Sequence, residues 1–186
     1  MINPNEFYKT LSKHSKFITG VPDSLLKDLN SCILDVHPKS KHVIAPNEGI
    51  SISLSIGNYI ATGDIPLVYM QNSGIGNAIN PLISLADKDV YGIPMILLIG
   101  WRGEPGTKDE PQHYKQGLIQ EDLLNALQIP YFKFNSNSLD FSDTVSKAYE
   151  MASDVSGPVV LLVSKGTFSK YKEPELEAKT RLTRET

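Results

Sequence analysis

The sequence predicts one α/β domain built on an open, doubly wound sheet of about six mostly parallel strands, with helices on both faces. Three apolar runs, 65–70, 93–99 and 158–163, support this prediction. They lack the alternation of strands with one face in water and are typical of strands covered on both faces. Helical patterns separate the runs, and repeated strand and helix units favour a parallel sheet. The chain of 186 residues is long enough for one such domain and short for two.

The individual elements follow from apolar periodicity, capping residues and turns. Asn47 is the predicted N-cap of the third helix, and Asp23 or Ser24 is the predicted cap of the helix before it. Residues 1–169 form the predicted domain, whereas the charged residues 170–186 have almost nothing to bury and are expected to be a tail or interdomain linker. In chain order, the prediction is helix 7–11, strand 17–20, helix 25–36, strand 42–45, helix 48–61, strand 65–70, helix 77–86, strand 93–99, a long loop 101–117, helix 120–127, strand 131–135, helix 139–152 and strand 158–163.

The composition argues against several classes of protein. A net charge of -3 gives no general attraction to nucleic acid or to an anionic membrane. Cys32 is the only cysteine, which precludes an intrachain disulfide and suits the cytoplasm. The polar N-terminus lacks the apolar segment of a signal peptide, and the longest apolar run is too short to cross a bilayer, so a soluble, cytoplasmic protein is expected. No Walker sequence, Gly-x-Ser-x-Gly elbow or His-Glu-x-x-His motif occurs.

Four segments with unusual residues follow predicted strands, where ligands bind in sheets of this kind. They are 20–24, 45–49 with Glu48, 71–78 and 101–117. The first, second and fourth have purely structural alternatives: helix capping, a helix-dipole partner worth about 0.3 to 1 kcal/mol for Glu48, and a disordered loop. The third segment departs from the dinucleotide-binding fingerprint, because its third glycine position is occupied by an isoleucine and the expected acidic residue is missing. In the fourth, basic side chains are candidate anion ligands, with acidic neighbours as alternative partners.

Taken together, these segments resemble the N-terminal half of the phosphonopyruvate decarboxylases, a family of thiamine diphosphate-dependent enzymes. The matching pieces, in the same order and spacing, are Gly-Val-Pro-Asp-Ser at 20–24, Asn-Glu-Gly at 47–49, Met-Gln-Asn-Ser-Gly at 70–74, and Gly-Trp-Arg-Gly-Glu at 100–104 through Gln-His at 112–113. The similarity runs from about Pro4 to Tyr171. Sulfopyruvate decarboxylase α subunits are close relatives that share the first three segments better than 101–117. The last segment therefore favours phosphonopyruvate over sulfopyruvate.

The resemblance implies a thiamine diphosphate pyrimidine-binding domain and a set of site residues. Glu48 would hydrogen-bond N1′ of the cofactor's aminopyrimidine and so assist removal of the C2 proton of the thiazolium. His113 would act as a second catalytic group, a proton donor to the substrate. The implied cofactor ligands are Glu48, Gln71, Asn72, Ser73 and Gly74, and the implied substrate ligands are Asp23, Ser24, Arg102, Lys108 and His113.

The other half of such an enzyme binds magnesium and diphosphate through a Gly-Asp-Gly segment and a later Asn, which this sequence lacks. No metal site is therefore predicted in this chain, and Mg²⁺ ligands are expected from a pyrophosphate-binding domain or β subunit in a homo- or hetero-oligomer. The implied reaction is decarboxylation of 3-phosphonopyruvate to phosphonoacetaldehyde and carbon dioxide, a carbon-carbon lyase step of phosphonate biosynthesis. Alternatives are a sulfopyruvate decarboxylase α subunit and a non-catalytic nucleotide-binding or regulatory module. Whether the chain is a natural α subunit or half of a longer chain stays open.

Overall fold

The computed structural model describes residues 1–138 and 140–172. From residue 173 onwards, the predicted tail or linker lies outside the described residues. In the described part, six parallel strands form one open sheet, which confirms the predicted α/β class. The strands are β1 (Ile18–Gly20), β2 (His42–Ile44), β3 (Leu67–Gln71), β4 (Met95–Gly100), β5 (Tyr131–Phe134) and β6 (Pro158–Val163).

Helices connect these strands and cover both faces of the sheet. The strand order is β2-β1-β3-β4-β6-β5, so the chain steps outward from β1 to β2 and then returns to β3 on the other side of β1. A crevice opens at such a reversal, beyond the carboxyl ends of the strands. The helices are α1 (Pro4–Leu11), α2 (Lys27–Val36), α3 (Glu48–Thr62), α4 (Ile75–Pro81), α5 (Pro111–Leu118), α6 (Gln120–Ala126) and α7 (Phe141–Val155).

The two faces of the sheet carry separate apolar cores because side chains alternate along each strand. On β3, Leu67 and Tyr69 pack into the core that α1, α2 and α7 cover. Val68 and Met70 pack into the opposite core, which α3, α4 and α6 cover. Because these strands are buried on both sides, the three sequence runs that predicted them are continuously apolar.

Two local predictions differ from the structure, and one is confirmed. Asn47 caps α3, its Oδ1 accepting from the Ile50 N–H at 2.9 Å. By contrast, α2 begins at Lys27 without a side-chain cap, so the prediction that Asp23 or Ser24 caps it is wrong. The predicted long loop at 101–117 is irregular only in its first part, because residues from Pro111 form α5. A proline at the first helical position favours a helix start there.

The boundary predicted at residue 169 stays a prediction. The described residues continue past it to 172, and Tyr171 is attached to α2 there. Its N–H donates to Asp28 Oδ1 at 2.9 Å, and its hydroxyl donates to Asp35 Oδ2 at 3.0 Å. The end of the described chain therefore lies against α2.

Candidate functional site

Glu48 is the first residue of α3 and lies at the carboxyl edge of the sheet, directly after β2. Its side chain is half-buried. Asn77, on α4, donates from Nδ2 to Glu48 Oε2 at 2.8 Å. One oxygen of the carboxylate is therefore held from the side, which fixes the direction of the group.

Two glycines allow the backbone to approach this carboxylate. A methyl group on Gly74 would lie 2.5 Å from Glu48 Cγ and Oε1, and one on Gly49 would lie 2.8 Å from the carbonyl oxygen of Asn77. The obstacle at Gly49 is backbone, so that position needs glycine, whereas a methyl group at Gly74 would displace the Glu48 side chain. The glycine turn after β3 thus packs against Glu48. We refer to Glu48, Gly49, Gly74 and Asn77 as the Glu48 crevice.

Gln71 and His113 meet at the same edge although they are far apart in the chain. Gln71 ends β3, and its Nε2 donates to Ser73 Oγ at 2.6 Å. The same nitrogen lies 3.5 Å from Nδ1 of His113, a half-buried residue in the first turn of α5. Helix α5 therefore brings the predicted proton donor to the polar residues that follow β3.

Asn72 holds the start of the segment after β4. Its Nδ2 donates to the Arg102 carbonyl at 2.9 Å, and its Oδ1 accepts from the Arg102 N–H at 3.2 Å. The residue is fully buried. The side-chain amide of Asn72 is thus engaged by the backbone of Arg102 and is not available to bind a ligand directly. Asn72 contributes to the site through its position between Gln71 and Ser73.

The Arg102 side chain is engaged mostly with its own loop. Its Nε and Nη2 donate to the two carboxylate oxygens of Asp109, and its Nη1 donates to Ser24 Oγ at 2.7 Å. The side chains of Arg102 and Asp109 are only 17% and 7% exposed. The hydrogen bonds from Arg102 and from the Gly103 and Glu110 N–H groups hold the Asp109 pKa well below its usual range. The Asp109 hydrogen bond likewise raises the Arg102 pKa.

We name Ser24, Asn72, Arg102 and Asp109 the Arg102 cluster. Asp109 was not among the residues predicted for the site. Its position in a loop rich in charged residues is the feature of the sequence that could have indicated it. Lys108, predicted to bind substrate, has an exposed side chain, and its carbonyl oxygen accepts from Lys165 Nζ at 3.0 Å.

Asp23 is the least solvated acid at this edge, with 5% exposure. Within the described residues neither of its carboxylate oxygens has a hydrogen-bond partner. It lies against Gly100, where a methyl group would come 2.1 Å from Oδ2. Burial raises the Asp23 pKa, an effect that the backbone N–H groups of Leu25, Leu26 and Ser24 and the charge of Arg102 only partly oppose. Gly100 is the register partner of Gln71, so this acid belongs to the same edge as His113.

The edge thus offers an oriented carboxylate, a buried acid whose pKa is raised, and a histidine. These groups fit a thiamine pyrimidine ring. Oε2 of Glu48 is held by Asn77, and the neighbouring Gly49 and Gly74 have no side chains that would occupy the space beside the carboxylate. Among the described residues no group of three or more His, Cys, Asp or Glu side chains is placed to hold a metal ion. No described helix has the length and hydropathy that a membrane span requires.

Comparison with known proteins agrees with this geometry. A family model described as thiamine pyrophosphate enzyme, N-terminal TPP binding domain, matches residues 5–127. A phosphonopyruvate decarboxylase from Streptomyces viridochromogenes is 39% identical over 109 residues, which cover 58% of this chain and 26% of the relative. A sulfopyruvate decarboxylase subunit alpha from Methanococcus maripaludis is 31% identical over 147 residues, which cover 79% of this chain and 84% of the relative.

Solved structures share the fold. Benzoylformate decarboxylase from Polynucleobacter necessarius matches 95% of this chain and 32% of its own, with a TM-score of 0.69 at 19% identity. A thiamine diphosphate-dependent 4-hydroxybenzoylformate decarboxylase from Rhodococcus jostii RHA1 matches 94% of this chain and 32% of its own, with a TM-score of 0.63 at 18% identity.

The chain spans about a quarter of the length of the two phosphonopyruvate decarboxylases that it matches. The family match, in contrast, covers more than half of this chain and includes the whole Glu48 crevice. The resemblance found in the sequence is confirmed, and the chain belongs to the family of N-terminal TPP-binding domains of thiamine pyrophosphate enzymes.

Proposed function

We propose that this chain supplies the pyrimidine-binding half of a thiamine diphosphate-dependent enzyme that decarboxylates 3-phosphonopyruvate to phosphonoacetaldehyde and carbon dioxide. The observation that carries the proposal is the Glu48 crevice, an acid oriented by Asn77 and closely approached by Gly49 and Gly74 in a member of this family. Relatives named phosphonopyruvate decarboxylase, 39% and 35% identical over the aligned segments, support the substrate.

Each residue of the edge has a role that its surroundings favour. When bound, thiamine diphosphate supplies the electron sink for loss of the carboxyl group. Glu48 holds a proton at N1′ of the pyrimidine, with its Oε2 fixed by Asn77. Asp23, whose pKa is raised by burial, and His113, placed by Gln71, are the two titratable groups assigned to proton transfer with the substrate. Gln71, Ser73 and Gly74 would contact the pyrimidine of the bound cofactor.

Magnesium and the diphosphate require a second protein unit. We place their ligands in a pyrophosphate-binding domain or β subunit, so the active enzyme is a homo- or hetero-oligomer in the cytoplasm. The partial coverage of the phosphonopyruvate decarboxylases supports this division. So does the fact that the sulfopyruvate relatives are named as alpha subunits.

The test is turnover by this chain mixed with a candidate pyrophosphate-binding domain, thiamine diphosphate and magnesium. We expect decarboxylation of phosphonopyruvate that is abolished by Glu48→Gln without loss of the folded state. The matched control is Glu150→Gln, which changes an exposed glutamate on α7. Near-normal turnover in Glu48→Gln would overturn the mechanism. Binding of a nucleotide but never of thiamine diphosphate, measured by calorimetry on the mixture, would instead favour a non-catalytic module.

Sulfopyruvate is the second candidate substrate, because the alignment with the alpha subunit from Methanococcus maripaludis covers 84% of that protein. The kcat/KM values for the two acids decide between them. We expect the higher value for phosphonopyruvate, and a higher value for sulfopyruvate would reassign the enzyme.

A further inference from the structure

A cavity of about 360 Å³ lies beyond the carboxyl ends of β1, β4 and β6. It is separate from the residues of the Glu48 crevice, yet it shares Arg102 and Ser24 with the Arg102 cluster. Its polar lining consists of Ser24, Asp28, Arg102 and Lys165, and Leu25 and Phe168 contribute apolar surface. Three loops that are far apart in the sequence thus form one polar concavity.

The polar groups of this cavity retain unused hydrogen-bond donors. Arg102 has five N–H bonds, of which two donate to Asp109 and one to Ser24. Ser24 accepts that bond, so its own hydroxyl hydrogen stays free to donate. Lys165 uses one of its three hydrogens on the Lys108 carbonyl, at 3.0 Å. An acceptor-only group such as an oxyanion fits this set of donors.

The charge of the cavity depends on Lys165. Asp109 neutralises Arg102 through a bidentate ion pair. Asp28 also lines the cavity, and its Oδ1 accepts from the Tyr171 N–H at 2.9 Å. In residues 1–138 and 140–172 no carboxylate lies within ion-pair distance of Lys165. The ammonium of Lys165 is therefore the positive charge that remains available to a ligand.

The residues that line the cavity are chain neighbours or hydrogen-bond partners of residues at the catalytic edge. Asn72, which clamps the Arg102 backbone, lies between Gln71 and Ser73. Ser24 directly follows Asp23, the buried acid against Gly100. A methyl group on Gly100 would meet both Asp23 Oδ2 at 2.1 Å and Leu25 Cβ at 3.4 Å, so the buried acid lies close to the wall of the cavity that Leu25 forms.

We propose that this cavity binds the tetrahedral oxyanion carried on C3 of the substrate, a phosphonate or sulfonate, and that Lys165 selects it. The proposal rests on the proposed function for the identity of the substrate. It also reassigns the second cation of the subsite, because Lys165 lines the cavity and donates to the Lys108 carbonyl oxygen, whereas the cavity lining does not include Lys108.

Binding is tested on the full chain with 3-phosphonopropionate, which has no keto group to react, and with propionate as the matched probe without the oxyanion. NMR titration should move the amide signals of Ser24 and Gly166 with 3-phosphonopropionate and leave them in place with propionate. Lys165→Met should weaken binding about tenfold or more, since a charge-assisted hydrogen bond is lost. Lys165→Arg should restore most of it, and Asp28→Asn should tighten it, because a repulsive charge is removed.

Two further lysine variants complete the binding test. Lys9→Met changes an exposed lysine on α1 and should leave the affinity unchanged. Lys108→Met should stay within about twofold of the unmodified chain. Equal shifts with both probes, or a loss in Lys108→Met as large as that in Lys165→Met, would overturn the proposal.

Turnover in the reconstituted enzyme provides the second arm. Lys165→Met should lower kcat/KM for phosphonopyruvate about tenfold or more and leave kcat/KM for pyruvate, which lacks the oxyanion, within twofold. Active enzyme with no such selectivity would refute the role of Lys165 while the proposed function stands. Specific binding of 3-phosphonopropionate without any decarboxylation would refute the proposed function while the anion subsite stands. Sulfopyruvate and 3-sulfopropionate, used in parallel, separate the two oxyanions.

Discussion

The Glu48 crevice and the Arg102 cluster lie at the same edge of one sheet, and they differ in how far their polar groups are satisfied within the chain. Glu48 is half-buried and is held by one hydrogen bond from Asn77. Arg102 and Asp109 are mostly buried and joined by two hydrogen bonds, with further bonds to Ser24 and to backbone groups. The first site thus leaves its carboxylate open to a ligand, whereas the second is braced within the chain and keeps only the donors of Arg102 and Ser24 that line the adjacent cavity.

The surroundings of the two sites differ in the same way. Between Gly49 and Ala86 the only charged residue is Asp64, whereas the segment 102–115 carries six charged residues and a histidine. Within this stretch, Ile50 and Leu54 are exposed in the first half of α3, close to Glu48. Exposed apolar surface of this kind is typical of interaction sites. The contrast supports the proposal that a partner domain covers the side of the edge that carries Glu48.

The largest effect on stability is expected from breaking the Arg102 cluster. Asp109→Asn should lower the free energy of unfolding by about 2 to 4 kcal/mol, because a mostly buried guanidinium loses its carboxylate. Urea denaturation measures this loss. Asp143→Asn is the matched control, since its pair with Lys147 is exposed and worth less than about 0.5 kcal/mol. Equal small losses in the two variants would show that the cluster is not a structural support.

A methyl group in the Glu48 crevice should reduce activity rather than stability. Gly74→Ala places its Cβ 2.5 Å from the flexible Glu48 side chain, which is then displaced. We expect turnover in the reconstituted enzyme to fall about a hundredfold, since small misplacements of catalytic groups have effects of this size. Gly76→Ala is the control for stability, because a methyl group there meets open space. Retained turnover in Gly74→Ala would contradict the assigned role of Glu48.

The single hydrogen bond to Glu48 should have a smaller effect. Asn77→Ala removes the donor to Oε2 and is expected to lower kcat about five- to tenfold, which corresponds to about 1 kcal/mol. Asn80→Ala, on the same helix, keeps that bond and serves as control. Unchanged kcat with the Asn77 variant would mean that Glu48 is oriented by other contacts.

The buried acid Asp23 provides a test through pH. Its pKa is raised in the folded chain, so between its unfolded and folded pKa values the native state binds more protons and stability falls as pH rises. Asp23→Asn mimics the protonated form and should stabilise the chain by about 1 kcal/mol at pH 8. The difference from the unmodified chain should vanish near pH 4. Denaturation at several pH values measures it, and a gain of equal size at pH 4 and pH 8 would exclude the titration of Asp23 as its cause.

Asp109 should respond to pH in the opposite direction from Asp23. Its pKa is lowered in the folded state, so its contribution is present above the unfolded pKa and is lost as pH falls through the folded value. Two carboxylates close to one arginine thus have pKa shifts of opposite sign, because the hydrogen bond from Arg102 dominates at Asp109 and burial dominates at Asp23.

Much of the fold could be predicted from local patterns. Strands buried on both faces gave continuous apolar runs, and Asn47 marked the start of α3 with its side-chain cap. This cap and the strand before it place Glu48 at the carboxyl edge of the predicted sheet. The resemblance to the phosphonopyruvate decarboxylases then distinguished Glu48 from acidic residues that only stabilise a helix N-terminus.

The length and polarity of the sequence determined that one α/β domain forms and that Glu48 begins a helix at its ligand edge, because both follow from short-range periodicity and capping. Only the tertiary structure decided the strand order, the burial of Asp23, the pairing of Arg102 with Asp109 and the approach of Lys165 to the Lys108 carbonyl. These features join residues from different loops, and the solvent exposure that sets their charge state depends on how the whole chain packs.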